Sequence, residues 1–166
     1  MHRFREKDHK TGPVVVVRTA PRDRRRAIVT CSGITVQAAL GRSGTTAFKR
    51  EGDGGTPIAA MRILSGFIRG DRLSVPGPRL PLRRIGHDML WCDDPRHPAY
   101  NRKVRAPFSA SHETLKRKDS LYDVCVVLDW NIPSRKRGAG SAIFFHIARP
   151  DYAPTEGCVA ISYRDM

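Results

Sequence analysis

His146 and Cys158 are the two side chains of this sequence whose types and spacing carry reaction chemistry. His146 ends the apolar run Ser141-Ala142-Ile143-Phe144-Phe145. Cys158 follows Gly157 and opens a second run, Val159-Ala160-Ile161. Two strand-like runs joined by a loop can bring an imidazole and a thiol face to face. The thiolate is the nucleophile and an adjacent base favours it, so this pair is the minimum equipment for acyl transfer. Gly157 lets the backbone approach a ligand closely. The successive amides of Gly157 and Cys158 are placed to point at a developing oxyanion. Pro150 and Pro154 stiffen the intervening loop. The competing reading is a buried cysteine beside a satisfied core histidine.

The rest of the chain narrows the choice. With 166 residues it fits one domain and can bury a core without disulfide staples. None of Cys31, Cys92, Cys125 and Cys158 sits in a C-x-x-C pair, which argues against zinc ribbons and thioredoxin-type redox motifs. Cys125, inside Val124-Cys125-Val126-Val127-Leu128, reads as a small hydrophobe in a buried strand. The histidines lack H-E-x-x-H spacing, which ranks a metallopeptidase last among the readings, and no metal or cofactor is expected. The net charge of +14 fits a polyanionic partner: nucleic acid, an anionic membrane surface or a cell-wall polymer. Its basic clusters lack the interleaved aromatics of a nucleic-acid groove. No apolar run approaches the length of a membrane span. Val14 to Val17 is too short for a signal-peptide core.

The elements that must position the pair are strands. Residues 1–12 read as a disordered start and 13–166 as a single domain. Pro13 to Thr19 is a β-branched run, followed by a basic turn over Pro21 to Arg26. Ala27–Cys31 and Ile34–Ala38 flank Ser32-Gly33 as a hairpin. Gly41 to Pro57 reads as loop, and Met61 to Gly70 as a further strand. Residues 73 to 107 carry Pro76, Pro78, Pro81, Pro95, Pro98 and Pro107, which predicts an extended surface wrap and a poor central strand. Ser111 to Lys118 is the best helical candidate. Tyr122 to Trp130 and Ser141 to His146 are the strongest strand candidates.

Thr155-Glu156-Gly157-Cys158-Val159 resembles the S/T-H-G-C signature of the L,D-transpeptidase (YkuD-type) catalytic domain, with His146 as its upstream histidine. Gly54-Gly55-Thr56-Pro57-Ile58-Ala59 resembles the T-P-x-G stretch of those domains. A compact subgroup is suggested by Leu40-Gly41-Arg42-Ser43-Gly44, Lys49-Arg50-Glu51-Gly52-Asp53-Gly54, Trp91-Cys92-Asp93-Asp94-Pro95, Tyr100-Asn101, Ser111-His112-Glu113 and Leu121-Tyr122-Asp123. These short matches run in order from about residue 14 to the end. Four departures stand out. Glu156 replaces the signature histidine, Ala160 an arginine and Ala59 a glycine, and the loop from His146 to Cys158 is shorter than usual.

The resemblance implies a mainly β fold, a sandwich or barrel with long loops and one or two short helices. It implies metal-free acyl transfer on peptidoglycan, with donor and acceptor stem peptides as partners. Cys158 is then the nucleophile, His146 the general base and acid, and Gly157 an oxyanion-hole amide. A backbone carbonyl rather than a carboxylate is expected to orient the histidine. Arg42, Trp91, Tyr100, Asn101, His112, Arg149, Tyr152, Thr155 and Glu156 are the candidate substrate-binding residues. Several have plainer alternatives. Arg42 is either a carboxylate fork or part of a solvated loop, His112 a cleft contact or a helix cap, and Trp91 a pocket floor. Arg149 meets a substrate carboxylate or Asp151, and Tyr152 is a lid or simple packing. Carbapenems are the expected covalent inhibitors, the cell envelope or periplasm the expected location, and a monomer the expected state. The alternatives are a cysteine-dependent carboxypeptidase or amidase on wall peptides and, in another class, a basic nucleic-acid-binding module.

Overall fold

The computed structural model describes residues 12–74 and 80–166. Thirteen strands follow in order: β1 Val15–Ala20, β2 Asp23–Cys31, β3 Ile34–Ala39, β4 Thr45–Thr46, β5 Thr56–Pro57, β6 Ile63–Ile68, β7 Leu82–Arg84, β8 Met89–Cys92, β9 Arg102–Arg105, β10 His112–Thr114, β11 Val124–Leu128, β12 Phe144–Ile147 and β13 Val159–Ile161. Eight of them form one sheet in the order β1-β2-β3-β13-β12-β11-β6-β7. β10-β8-β9 make a second sheet, and β4 pairs β5 in a short ladder.

Local chemistry explains the first three strands. β1 and β2 are rich in valine, isoleucine and threonine, which suit a pleated surface. Cys31 pairs with Ile34, so Ser32-Gly33 is a two-residue turn. Both turn residues have positive φ, 47° and 83°, the geometry that matches the twist of a hairpin.

The site depends on the middle of the large sheet. β12 and β13 run parallel, with Phe145 opposite Val159 and His146 opposite Ala160. On its other edge β12 pairs antiparallel with β11, placing Cys125 opposite His146. One lateral row therefore reads Phe67, Cys125, His146, Ala160, Ala39, all on one face because paired residues share a face. The opposite face carries a separate core of Ala27, Val29, Ala38, Leu40, Val159 and Ile161. With both faces covered, β13 is buried at every position, as a central strand with a parallel neighbour should be.

The three-stranded sheet covers the His146 face. Met89 and Trp91 of β8 join Phe67, Cys125, Val127, Phe144, Tyr122 and Cys158 in one cluster. Phe144 is fully buried at its centre. The Trp91 ring meets it edge-on at 5.2 Å and the Tyr122 ring at 5.9 Å.

Four sequence expectations change. Gly41 to Pro57 is not all loop, since β4 and β5 pair in parallel near its two ends. Ser111 to Lys118 is not a helix: His112, Glu113 and Thr114 pair with Cys92, Trp91 and Leu90 as β10. A helix that short has little stability of its own, and strand pairing with β8 together with full burial of Leu115 outweighs it. There is no helix among the described residues. The proline-bearing stretch does supply a central strand. β8 lies between β10 and β9 and is buried at all four positions, because Met89-Leu90-Trp91-Cys92 carries no proline. The turn after β1 is only Pro21-Arg22, and Arg24, Arg25 and Arg26 lie in β2. The start expected over 1–12 lies, Gly12 apart, outside the described residues, as do Pro76 and Pro78. All four cysteines are free thiols.

Truncating Phe144 to alanine should cost about 3–5 kcal/mol, the usual cost of emptying a buried aromatic site. Urea unfolding of the variant reads it; a loss below about 1 kcal/mol would mean that Phe144 is not the centre of this core.

Candidate active site

The parallel register makes His146 and Cys158 diagonal neighbours on one face. Cys158 precedes Val159, so it lies beside Phe144, two residues before His146 on the same face of β12. The Phe144 N–H donates to the Cys158 sulfur at 3.4 Å. The thiol in turn donates to the Ala142 carbonyl at 3.3 Å. Both groups come from the segment leading into β12, so that segment grips the sulfur from one side.

That grip is built on Asn101. Ala142 holds a positive φ of 51°, a conformation a side-chain-bearing residue rarely keeps without support. The Ala142 N–H donates to Asn101 Oδ1 at 3.1 Å, which also accepts from Trp91 Nε1 at 3.0 Å. Asn101 Nδ2 donates to the Trp130 carbonyl at 3.0 Å. Next along the chain, the Ser141 hydroxyl donates to Glu51 Oε2 at 2.8 Å, and the Tyr100 hydroxyl donates to the same oxygen.

His146 is 5% exposed. Its Nδ1 lies 2.9 Å from the Ile147 carbonyl, which can only accept. The proton therefore sits on Nδ1, and Nε2 is left as the base. The Tyr122 ring packs edge-on against the imidazole at 5.2 Å. Burial pulls the His146 pKa down to about 4, against backbone hydrogen bonds that raise it. Burial likewise pushes the Cys158 thiol up to about 12; the Phe144 N–H and Lys49 oppose this and Glu113 adds to it. At neutral pH the pair is thus a neutral thiol beside a neutral imidazole, not a preformed ion pair. Such a pair ionises when a substrate draws the sulfur onto a carbonyl and Nε2 takes the proton.

A cleft of about 460 Å³ opens over the two residues. Glu51, Asp93 and Glu113 line it along with Arg117 and Arg149, so it offers both signs of charge to a zwitterionic ligand. Asp93 Oδ1 is buried there without a hydrogen-bond partner.

Of the residues singled out from the sequence, Cys158, His146, Arg149, Thr155 and Glu156 line this cleft. Arg149 is exposed and, among the described residues, makes no ion pair with Asp151. The Thr155 hydroxyl donates to the Cys158 carbonyl at 2.7 Å and accepts from the Gly157 N–H at 3.1 Å. The Gly157 amide is therefore already engaged in this state. Glu156 accepts from Arg42 Nε at 2.8 Å. Arg42 stands behind the wall as the partner of Glu156 rather than in the cleft.

The remaining candidates act from beneath. Trp91, Tyr100 and Asn101 are buried at 6%, 3% and 1%. They do not reach the cleft, because their polar atoms are spent on the Ala142 and Glu51 contacts. His112 is a strand residue whose Nδ1 donates to the Ala110 carbonyl at 2.7 Å, with its ring against Phe108. Its neighbour Glu113 faces the cleft instead, as strand alternation requires. Tyr152 packs on Ala39, Ala148 and Ala160, with Arg26 over its ring at 5.2 Å.

Glu51, Ser141 and the Ala142 carbonyl have no role legible in the sequence, and only long-range pairing gives them a direction. Of the pair His112-Glu113, read as a cap or as a cleft contact, it is Glu113 that lines the cleft.

The depressed His146 pKa has a measurable consequence. Between pH 6.5 and 4 the unfolded chain binds a proton that the folded chain refuses. Stability therefore rises with pH through that window and is lost as pH falls. A depression of that size amounts to at most about 3 kcal/mol. Between pH 7 and pH 4 the unmodified protein should lose up to about 3 kcal/mol more than the His146→Gln variant in urea unfolding. Parallel stability curves would show that His146 is not a desolvated neutral base.

The family model for the L,D-transpeptidase (YkuD-type) catalytic domain matches residues 13–166. No curated protein and no solved structure matches the chain.

Proposed function

Because the chain belongs to the L,D-transpeptidase catalytic-domain family, a family of cysteine-dependent acyltransferases acting on peptidoglycan peptides, we propose that it cross-links stem peptides through an acyl-Cys158 intermediate. The observation that carries the reading is the placement of Cys158 and His146 on one sheet face, under one cleft, with the sulfur gripped by Ala142 and Phe144.

In this reading the donor stem lies in the cleft with the carbonyl of its diaminopimelate L-centre over the sulfur. His146 Nε2 takes the thiol proton as the C–S bond forms. Charge develops on the carbonyl oxygen, and the Gly157 N–H turns to it from Thr155 Oγ1. The C–N bond to the terminal D-alanine then breaks, and His146 returns the proton to the leaving amine. An acceptor-stem amine attacks the thioester, gives its proton to His146 and expels the thiolate, which is reprotonated. Arg117 and Arg149 are on hand for stem carboxylates, and Glu51, Asp93 and Glu113 for an acceptor ammonium.

The same thioester forms with a carbapenem, whose ring opening leaves the acyl group on Cys158. The reading places residues 13–166 as one catalytic domain, working as a monomer in the cell envelope or periplasm. The high positive charge suits that carboxylate-rich polymer.

Incubation with tetrapeptide-bearing peptidoglycan should release D-alanine and yield cross-linked muropeptides of the 3,3 or 1,3 type. Cys158→Ala should lower that rate about 10⁴-fold or more. Intact-protein mass spectrometry should find a carbapenem adduct on the parent protein and none on the variant. D-Alanine release with no cross-link would assign a carboxypeptidase instead. No adduct and no release would overturn acyl transfer altogether.

A further inference from the structure

Lys49 is a buried cation that the chemistry above does not use. Its side chain is only 3% exposed, which is rare for lysine. The aliphatic stem runs past Gly140, where an added Cβ would lie 2.8 Å from Cγ and 3.0 Å from Cε. The ammonium ends beside Gly157, where an added Cβ would lie 3.5 Å from Nζ. Both glycines have positive φ, 90° and 138°, so the backbone bends around the lysine on either side. The ammonium is fixed by the Asp53 carboxylate and by the Arg50 carbonyl at 3.0 Å.

We propose that Lys49 is a positioning residue for Cys158, a fixed ammonium behind the Gly157-Cys158 turn that favours the thiolate and the negative charge developing next to it. The pairing with Asp53 does not cancel this effect. Asp53 is 26% exposed in its side chain and lies on the solvent side, where water screens it; Lys49 lies inside, where screening is weak. Burial pushes the Asp53 carboxyl up, but hydrogen bonds from the Arg50 N–H, Lys49 and the Gly55 N–H outweigh it and hold the group ionised, so the ammonium stays anchored. A buried ion pair is a poor source of stability compared with an apolar pair of the same volume. That leaves the field at the sulfur as its physical product. The other titratable groups around the sulfur are His146 from β12, Cys125 from β11, Tyr122 before it and Glu113 from β10, with Glu51, Asp93, Arg117 and Arg149 lining the cleft. Burial keeps His146 neutral, Arg117 is paired with Asp119 and Arg149 is exposed, so Lys49 is the enclosed cation of the set. Lys49 lowers the thiol pKa against both burial and Glu113.

The inference rests on Cys158 being the nucleophile, but it can be read without acyl transfer. Iodoacetamide is uncharged, so Lys49 does not steer it, and its reaction rate reports the thiolate fraction. Alkylation is followed by mass spectrometry on the Cys158 peptide, separately from partly exposed Cys31, at stepped pH. Lys49→Met should slow alkylation at fixed pH by about threefold and displace the rate–pH curve to higher pH. Lys49→Arg should restore most of the rate. Asp53→Asn keeps an amide oxygen and the Arg50 carbonyl as acceptors for the ammonium and removes only the opposing charge, so it should displace the curve the other way, to lower pH. A merely structural lysine predicts the same direction for both losses, or none. Either result would overturn the proposal, and Asp53→Asn carries the test alone if Lys49→Met does not fold. If the unmodified protein alkylates in this pattern yet transfers no acyl group, the transpeptidase reading fails and the role of Lys49 stands.

Discussion

The parallel pairing of β12 with β13 is the constraint on which the site depends. Parallel neighbours cannot be joined by a tight turn, so the chain must leave one end of β12, cross the sheet and re-enter at the start of β13. Such crossings usually carry a helix. Here the connection is an irregular loop, and it passes over the face that bears His146 and Cys158. One topological requirement thus produces three things together: the diagonal neighbour relation of thiol and imidazole, the loop that walls the cleft, and the sharp backbone at Gly157. The Gly157 conformation, φ 138°, is one that L side chains rarely adopt, and a Cβ there would also lie 2.9 Å from the Gly55 carbonyl. The glycine before the cysteine is required by the re-entry into the sheet before any argument about an oxyanion is made.

An irregular crossover needs other anchors, and three of the four departures from the family signature, all but Ala59, lie where those anchors are. Ala160 sits beside His146 and Ala39 in a patch of small residues, and Tyr152 fills the space above them. A long side chain at 160 would occupy the seat of Tyr152. Arg26 covers the same ring and donates to the Asp151 carbonyl at 2.7 Å, so a residue of β2 holds the crown of the loop. Glu156, where the signature has histidine, meets Arg42 from the glycine-bounded loop. Both partners are more than half exposed, so the pair adds little stability and chiefly sets the orientation of that wall. Backbone bonds between Thr155 and the Leu40–Arg42 stretch, 2.8 and 2.9 Å, tie the same point to the end of β3. The short loop is thus held at its crown, at Thr155 and at Glu156.

The strands that frame the site were legible in the sequence because each is a local signal. The β-branched run before Thr19, the Ser32-Gly33 turn, and the apolar runs around Cys125, Phe144 and Val159 need no knowledge of distant partners. Cys158 and His146 stood out as a candidate pair for the same reason, since each ends or opens such a run. What was not legible is long-range. Met89-Leu90-Trp91-Cys92 is a short apolar run inside a proline-bearing segment, and only its pairing with Arg102–Arg105 and His112–Thr114 makes it a central strand. The family resemblance offers Asn101 and Tyr100 as substrate contacts, on the strength of the Tyr100-Asn101 match alone. They are instead the buried supports of Ala142 and Glu51, and nothing in their immediate neighbours gives that away. Lys49 is the extreme case. A lysine flanked by Arg50 and Glu51 reads as solvated, and its burial depends on Gly140 and Gly157, far along the chain.

The electrostatics of the pair follow from where this topology puts it. A thiol and an imidazole built into the core face of a sheet are desolvated, so each favours its neutral form. Proteins that hold a thiolate at rest do so with a helix N-terminus, a metal or an adjacent cation, often an imidazolium. Among the described residues this fold has no helix to lend, and its histidine is buried too deeply to carry charge. In the proposed reaction the charge stabilisation falls to fixed groups that act as the sulfur commits: the Phe144 N–H aimed at it and, as proposed, the amide at Gly157 and the Lys49 ammonium. A resting neutral thiol also has a physical advantage for the proposed reaction, which acts on an unactivated amide. It reacts slowly with oxidants and small electrophiles, which prefer thiolates. It becomes a nucleophile only when a carbonyl in the cleft gives the displaced proton and the incoming charge somewhere to go.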